Sequence, residues 1–470
     1  MTATNVRLPS ATRVRRLPAP RRAPWWPTAV WGLTTAGLLV VLRLWVAKGG
    51  MHDLGGDTAV MLGSLSRITG LLASYLMLLQ VLGMARIPWV ERSFGQDAVT
   101  RWHRWTGFTS FHLMVVHVVT IIWSYTLLGR VSWVRETWDM VTTLPGMLAA
   151  TVGTLLLVMV VVTSMRLARR RLRYESWHLL HLYAYLGVGF ALPHQLWTGT
   201  DLGGSAGATV FWWTLWAAAL AAVLVFRVGQ PLWLSTRHRL RVSQIVPEGA
   251  GLVSVHMSGR NLTQLRVEPG QYFVFRFMSG SGWTRGHPLS LSAAPTTVGL
   301  RVTVGTRGDD GARLAALRPG TRVLVEGPYG RLTPASRTRP RVAAFAAGSG
   351  IAPVMAMLHD NAWEPVVDTL VLRTSREEDV PLADDIEWLV RETGLRFIAL
   401  PGPRPRLGPA WLPGGAWQGD GASAVHALVP GIADHDVLVC GPGPWTKALL
   451  PDLYAAGVAR DAVHVERFDW

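Results

Sequence analysis

Tyr174–Trp197 reads YESWHLLHLYAYLGVGFALPHQLW, a stretch apolar enough to lie in a membrane that nevertheless carries His178, His181 and His194. An ionisable side chain at membrane depth is costly, so it needs a partner or a task. An earlier stretch starting at Trp102, WHRWTGFTSFHLMVVHVVTII, repeats the pattern with His103, His112 and His117. Two histidine-bearing apolar segments, joined to a tail that reads as soluble, suggest a buried metal group fed by a soluble donor.

The surrounding composition agrees with a membrane reading. The chain has 470 residues, 49% of them hydrophobic, and a mean hydropathy of +0.25. That is too apolar for an ordinary soluble enzyme and too long for one domain. Net charge is +16. Nucleic-acid binders share such a balance, but here the arginines sit in short clusters between apolar runs, as in cytoplasmic membrane loops. No nucleic-acid partner is expected. Cys440 is the single cysteine, which excludes disulfides within the chain, four-cysteine iron–sulfur clusters and cysteine-built zinc sites. Any metal centre must rely mainly on histidine, carboxylate or methionine.

Six apolar runs of spanning length can be marked, at about 27–47, 58–84, 104–128, 142–165, 176–198 and 207–228, against a requirement of roughly 20 residues. Basic clusters at Arg13–Arg22, Arg86–Arg104, Arg166–Arg173 and Arg227–Arg241 alternate with connections holding only Lys48, Arg130 and Arg135. The positive-inside rule then puts both termini in the cytoplasm of a multi-pass protein of the cell membrane. Residues 1–24 are expected to be a basic cytoplasmic tail and not a signal peptide. Residues 25–230 form the membrane bundle. Trp123, Trp133, Trp138 and Trp197 suit an outer interfacial belt.

Depth sorts the histidines. The third and fifth runs travel in the same direction, so His103 and His181 lie near the inner face, and His117 and His194 nearer the outer. His103 and His117 are separated by about 21 Å of helical rise and about 40° of phase; His181 and His194 by about 20 Å but about 140°. Pro193, Gly187 and Gly189 are positioned to bend the second helix. Facing imidazoles suit six-coordinate heme iron. The spacing of His178 and His181 instead suits a single clustered metal site, and hydrogen bonding within the bundle is the plain alternative for each ring. His112 and His178 are read as structural, and His52, near Asp53 and Asp57, as a surface residue of an outer loop.

After Pro231 the pattern changes to short alternating runs: HRLRVSQIV, GLVSVHM, QYFVFRF, HPLSLS, GLRVTV and TRVLVEG. They predict a small antiparallel β-barrel over 235–335. From 340 to 470 strands alternate with helices, which predicts a doubly wound α/β parallel sheet. Ligands bind such sheets at the carboxyl ends of the strands. Those ends carry Ala347-Gly-Ser-Gly-Ile-Ala-Pro353 and Cys440-Gly-Pro-Gly-Pro444, glycine turns suited to close approach of a phosphate at a helix N-terminus.

These residues together resemble the NADPH oxidase/ferric reductase superfamily, over about 58–470. Its members join a six-helix heme domain to a ferredoxin-reductase-type flavin and nicotinamide module. His103, His117, His181 and His194 fall at the family's ligand spacings, which implies two b-type hemes. His287-Pro288-Leu289-Ser290 is similar to the flavin motif. By that resemblance Arg285 and His287 lie near the FAD phosphates and the Ser290 hydroxyl approaches the reactive flavin nitrogen. Leu289 departs from the usual stacking aromatic. Tyr272, Phe273, Arg301 and Gly308–Gly311 fit the remaining flavin contacts. Gly348, Ser349 and Gly350 resemble the pyrophosphate loop, and Cys440, Gly441 and Pro442 the segment beside the nicotinamide. Phe468, with Trp470 close behind, resembles the aromatic that stacks over the flavin. Arg373 and Arg376 are candidates to contact a 2′-phosphate and select NADPH over NADH. Ser290, Cys440 and Phe468 would be the residues nearest hydride transfer.

The implied activity is transfer of electrons from cytoplasmic NAD(P)H through FAD and two hemes to an outer acceptor. Oxygen, giving superoxide, and chelated ferric or cupric ion both fit, as does another membrane or periplasmic protein. A heme-binding transporter with a regulatory nucleotide domain is the alternative from another class, and the flavin-type barrel argues against it.

Overall fold

The structure is a computed structural model that describes residues 25–172, 174–202, 205–280, 282–339, 341–359, 368–377, 379–405, 408–415, 417 and 419–467. The chain divides into two compact units, Arg22–Gly229 and Gln230–Trp470, each described by itself.

The first unit is helical. Helices α1 (Trp26–Ala47), α2 (Thr58–Met84), α3 (Gln96–Gly129) and α4 (Met147–Ser164) are followed by α5 (Tyr174–Phe190), α6 (Leu192–Trp197) and α7 (Ala206–Ala222). Their starts follow from local chemistry. Pro27 enters α1 in its first turn, where a missing N–H costs nothing. Asp57 accepts from Val60 N at 3.0 Å to cap α2, and Ser205 caps α7. Among the described residues five helices are long and apolar enough to cross a membrane, where six runs are expected. The fifth expected run is split at Ala191 between α5 and α6. Pro193 explains the split: it sits in the first turn of α6, where its fixed φ and lost donor start a helix more readily than they continue one.

Close approach between α4 and α5 depends on glycine. A Cβ on Gly153 would lie 2.6 Å from the Gly187 carbonyl oxygen, and one on Gly187 would lie 2.9 Å from Leu157 Cγ. Two half-buried ion pairs tie α2 to two connections: Arg67 Nε lies 2.9 Å from Asp201 Oδ2, and Nη1 lies 3.1 Å from Asp53 Oδ2.

In the second unit, helix α8 (Gln230–His238) precedes β1 (Arg241–Pro247), β2 (Leu252–Ser258), β3 (Tyr272–Phe277), β4 (His287–Ser290), β5 (Gly299–Gly305), α9 (Gly308–Ala315) and β6 (Val323–Tyr329). The strands form two three-stranded antiparallel sheets, β1-β2-β5 and β4-β3-β6. The ladder is thus not continuous, as a single barrel sheet would have it. The sheets meet at one edge through an Arg241–Arg322 bridge and at the other through a Leu291–Val302 bridge. Phe273, Phe275, Leu291, Leu300, Val302 and Val323 fill the space between them.

The remainder is β7 (Arg341–Ala347), α10 (Ile351–Leu358), β8 (Thr369–Arg373), α11 (Ala383–Thr393), β9 (Arg396–Leu400), α12 (Gly421–Leu428), β10 (His435–Gly441), α13 (Gly443–Ala455) and β11 (Val463–Arg467). All five strands run parallel, in the order β11-β10-β7-β8-β9. Four strands are expected there, from the runs RVAAFAA, DTLVLRTS, RFIALP and HDVLVC; β11 is the addition. Asp436, at the start of β10, accepts from Thr338 N (2.6 Å), Arg339 N (2.7 Å) and His464 Nε2 (3.0 Å), fixing the chain that enters β7.

Candidate functional site

Helices α3 and α5–α6 bring the histidines together in two pairs. The rings of His103 and His181 have centroids 5.9 Å apart, and those of His117 and His194 are 6.5 Å apart. With metal–nitrogen bonds of about 2 Å, two imidazoles on opposite sides of one metal have centroids on the order of 6 Å apart. The break at Ala191 lies between His181 and His194, so one straight helix need not present both. Gly146 supports it: at φ +81° it leaves room for the His194 backbone nitrogen, which a Cβ would approach to 2.7 Å.

Hydrogen bonds orient two of the rings. His117 Nδ1 lies 2.8 Å from the Ser66 carbonyl oxygen, and a carbonyl only accepts, so Nδ1 carries the proton and Nε2 keeps its lone pair. The Ser66 hydroxyl donates in turn to the His117 carbonyl at 3.1 Å. His181 Nδ1 lies 3.2 Å from Ser164 Oγ, and that oxygen accepts from Trp177 Nε1 at 3.2 Å. His103 Nδ1 is buried without a hydrogen-bond partner. The rings therefore fit a bis-imidazole metal group. Among the described residues no three His, Cys, Asp or Glu side chains gather as a metal site, unlike the clustered alternative. His112 turns Nδ1 to the Phe108 carbonyl of its own helix at 2.8 Å, and His178 stands beside Trp177.

In the second unit, β3 places Tyr272 opposite Ser290 and Phe273 opposite Leu289. Ser290 is buried and Phe273 fully so. Arg285 pairs with Asp310 at the start of α9. Arg276 pairs with Glu326 at 3.4 Å. Burial lowers the His287 value, and the Arg285, Arg313 and Arg276 guanidinium groups add to this against the pull of Asp310. A neutral imidazole among three arginines is a fitting environment for phosphate oxygens. Gly308 has φ +79°, and a Cβ on Gly311 would collide with the Gly305 carbonyl, so α9 can start only this close to β5 with glycine there. Arg276 and Arg313 escaped sequence reasoning, since neither lies in the flavin-like motif.

Arg301 makes its contacts within the protein. Its guanidinium bonds Ser292 O at 2.7 Å and Asp385 at 2.5 Å.

At the carboxyl edge of the parallel sheet the two glycine turns meet. Gly348 has φ +56°, and a Cβ on Gly350 would collide with the Cys440 carbonyl and lie 2.8 Å from Gly441 N. Ser349 is half-buried beside them, and Pro442 caps α13. The Cys440 thiol is fully buried among apolar side chains, and burial pushes it well above its ordinary value. The thiol is not exposed, and Cys440 meets the turn through its backbone.

Arg373 bonds the carbonyls of Leu400 (3.0 Å), Gly402 (2.8 Å) and Pro403 (3.0 Å). It secures the loop after β9 and is not held out toward a ligand. Arg376 is exposed at the same edge. Phe468 and Trp470 lie outside the described residues.

Comparison with known proteins follows this division. Residues 69–192 match the family model described as ferric reductase like transmembrane component. The ferredoxin reductase component of the 3-ketosteroid-9-alpha-monooxygenase of Mycolicibacterium smegmatis is 30% identical over 228 residues, covering 47% of this chain and 59% of that protein. An NADPH oxidoreductase of Mycobacterium tuberculosis is 25% identical over 253 residues, covering 51% and 62%. The chain thus spans about three-fifths of these curated relatives. Among solved structures, the flavohem-like FAD/NAD binding domain of a nitric oxide dioxygenase from Vibrio cholerae is 23% identical, with a TM-score of 0.40, covering 49% of this chain and 98% of that one. A segment similar to the ferric reductase like transmembrane component is thus followed by a half similar to ferredoxin reductases, a combination that fits a ferric reductase/NADPH oxidase-like fusion.

Proposed function

We propose that the chain is a transmembrane NAD(P)H-dependent oxidoreductase. It takes electrons from NAD(P)H in the cytoplasm and delivers them, by way of FAD and two b-type hemes, to oxygen or to a ferric or cupric ion outside. The observation that carries this reading is the pair of facing imidazole couples, His103/His181 and His117/His194, on the same helices at two levels. When bound, the flavin converts a two-electron donor into single electrons and the hemes relay them.

The chain's own residues do the rest. Ser66 and Ser164 hold two of the rings so that Nε2 can ligate. Arg276, Arg285, Arg313 and His287 receive the flavin phosphates, and Tyr272 and Ser290 border the flavin ring. The turns at Gly348–Gly350 and Gly441–Pro442 receive the nicotinamide nucleotide, with Arg376 as the exposed cation at the ribose end. One NAD(P)H yields NAD(P)⁺, a proton and two electrons, so two ferric ions become ferrous or two oxygen molecules become superoxide. With both termini cytoplasmic, outward movement of each electron gains roughly 2.3 kcal/mol per 100 mV of inside-negative potential.

The test is an absorption spectrum of the purified full chain before and after NADPH, followed by the same experiment on His194→Ala. The intact protein should show a flavin band and a bis-imidazole heme band that NADPH reduces. The variant should keep NADPH-driven flavin reduction and lose reduction of an impermeant outer acceptor. Undiminished outer reduction in His194→Ala would remove the outer pair from the path.

A further inference from the structure

A pocket of about 490 Å³ opens between the end of α8 and the edges of β1, β2 and β6. Its walls include Thr236, Ser258 and four arginines, Arg239, Arg241, Arg260 and Arg322, with no carboxylate among the lining residues. None of the four makes an ion pair with a described carboxylate. Arg241 donates from Nη1 to the Gly320 carbonyl at 2.8 Å, and Arg239 from Nε to the Thr236 carbonyl at 3.3 Å. The side chains of Arg260 and Arg322 make no hydrogen bond among the described residues. A guanidinium carries five N–H donors, so these four exposed side chains keep most of their donors free of hydrogen bonds to described residues.

The arrangement also opposes like charges. Arg241 and Arg322 are directly across from each other in the bridge that joins the two sheets. Cross-strand like charges destabilise a sheet. An anion between them turns that cost into a gain, since the guanidinium fork matches phosphate oxygens.

Chain position adds a second, independent argument. The sixth apolar run ends at about residue 228, and the basic cluster Arg227–Arg241 follows it in the chain. Arginines clustered just beyond a membrane helix attract anionic headgroups. We propose that this pocket binds the phosphate of an anionic ligand, either the headgroup of a membrane lipid or a soluble phosphate. The proposal goes beyond the electron path and does not rest on it.

The test uses the full chain in detergent. Native mass spectrometry would follow retention of phosphatidylglycerol against phosphatidylcholine, and a thermal shift would follow inorganic phosphate. Retention of phosphatidylglycerol over phosphatidylcholine is expected, reduced about 25-fold in the double variant Arg260→Gln/Arg322→Gln, at about fivefold per arginine. A phosphate-induced thermal shift that the double variant loses, without lipid preference, supports the same pocket with a soluble ligand. Arg322→Gln alone relieves the opposition to Arg241. It should raise the melting temperature without anion and shrink the anion-induced shift. Equal retention of both lipids with no phosphate shift overturns the proposal, as does undiminished binding in the double variant.

Discussion

Within the two facing pairs, His117 and His181 have their Nδ1 atoms held in different ways, and the difference is measurable. His117 Nδ1 has both the carbonyl of Ser66, at 2.8 Å, and its hydroxyl, at 2.9 Å, whereas His181 leans on the hydroxyl of Ser164. Ser66→Ala keeps the carbonyl and should leave the outer pair's ligation nearly unchanged. Ser164→Ala removes the partner of His181, and loss of such a support typically costs 10–100-fold in metal affinity. Heme content and a spectroelectrochemical titration should therefore show weakened, shifted binding at one site in Ser164→Ala. Equal effects of the two alanines would sink the distinction. Among soluble groups, Asp368 has its carboxyl raised by burial to about 6 from an ordinary 3.8, although Val342 N–H donates to it. A folded value above the unfolded one stabilises the fold fully below pH 3.8, and the contribution is lost as pH rises through about 6. Asp368→Asn, which keeps an acceptor for Val342, should raise stability above pH 6 by up to roughly 3 kcal/mol and little at pH 4. Denaturant melts at the two pH values check this. The four paired histidines were legible in the sequence because imidazoles at membrane depth are rare. Ser66 was not, because it meets His117 across 51 positions and an isolated serine in an apolar helix carries no local signal.

Elements were legible where one period dominates and less so where two constraints compete. The apolar runs announce spanning helices, and Pro193 announces a disturbance. Whether a proline kinks a helix or starts a new one depends on packing, here on Gly146 making room beside the His194 backbone. The alternating strands likewise announce antiparallel pairing, but not that two junctions shrink to single bridges. β11 was missed because VHVER is short and sits at the sheet edge, where less of the strand needs to be apolar. The two glycine turns, distant in sequence, were each readable as nucleotide-binding. Their meeting in space was not. That meeting predicts the effect of Gly350→Ala. The added methyl has no room against the backbone of Cys440 and Gly441, and overpacking of this kind costs about 1–3 kcal/mol. The variant should lower the unfolding midpoint and raise the KM for NADPH several-fold while leaving heme content unchanged. An unaltered KM would mean that the turn does not receive the nucleotide.

At the scale of the whole molecule, separate cores imply separate stabilities. Three apolar clusters lie within residues 234–465, built around Phe275, Met355 and Trp411. Two others lie within residues 38–219, built around Tyr75 and Leu78. The first group owes its stability to removal of apolar surface from water. The second sits on helices of membrane-spanning length, where surrounding lipid or detergent takes that role. A chain of this kind departs from two-state unfolding. Calorimetry of the detergent-solubilised protein should resolve two transitions, and ligands should sort them. NADPH at a hundred times its Kd stabilises a native site by about 2.7 kcal/mol. For a unit of this size that moves a midpoint by roughly 5–10 °C. Only the transition of the Gln230–Trp470 unit should respond. Exchanging the detergent for one of different chain length should move the other. A single transition displaced as a whole by NADPH would instead show that the two units unfold cooperatively, and nucleotide binding would then be felt by the histidine pairs through stability as well as through electrons.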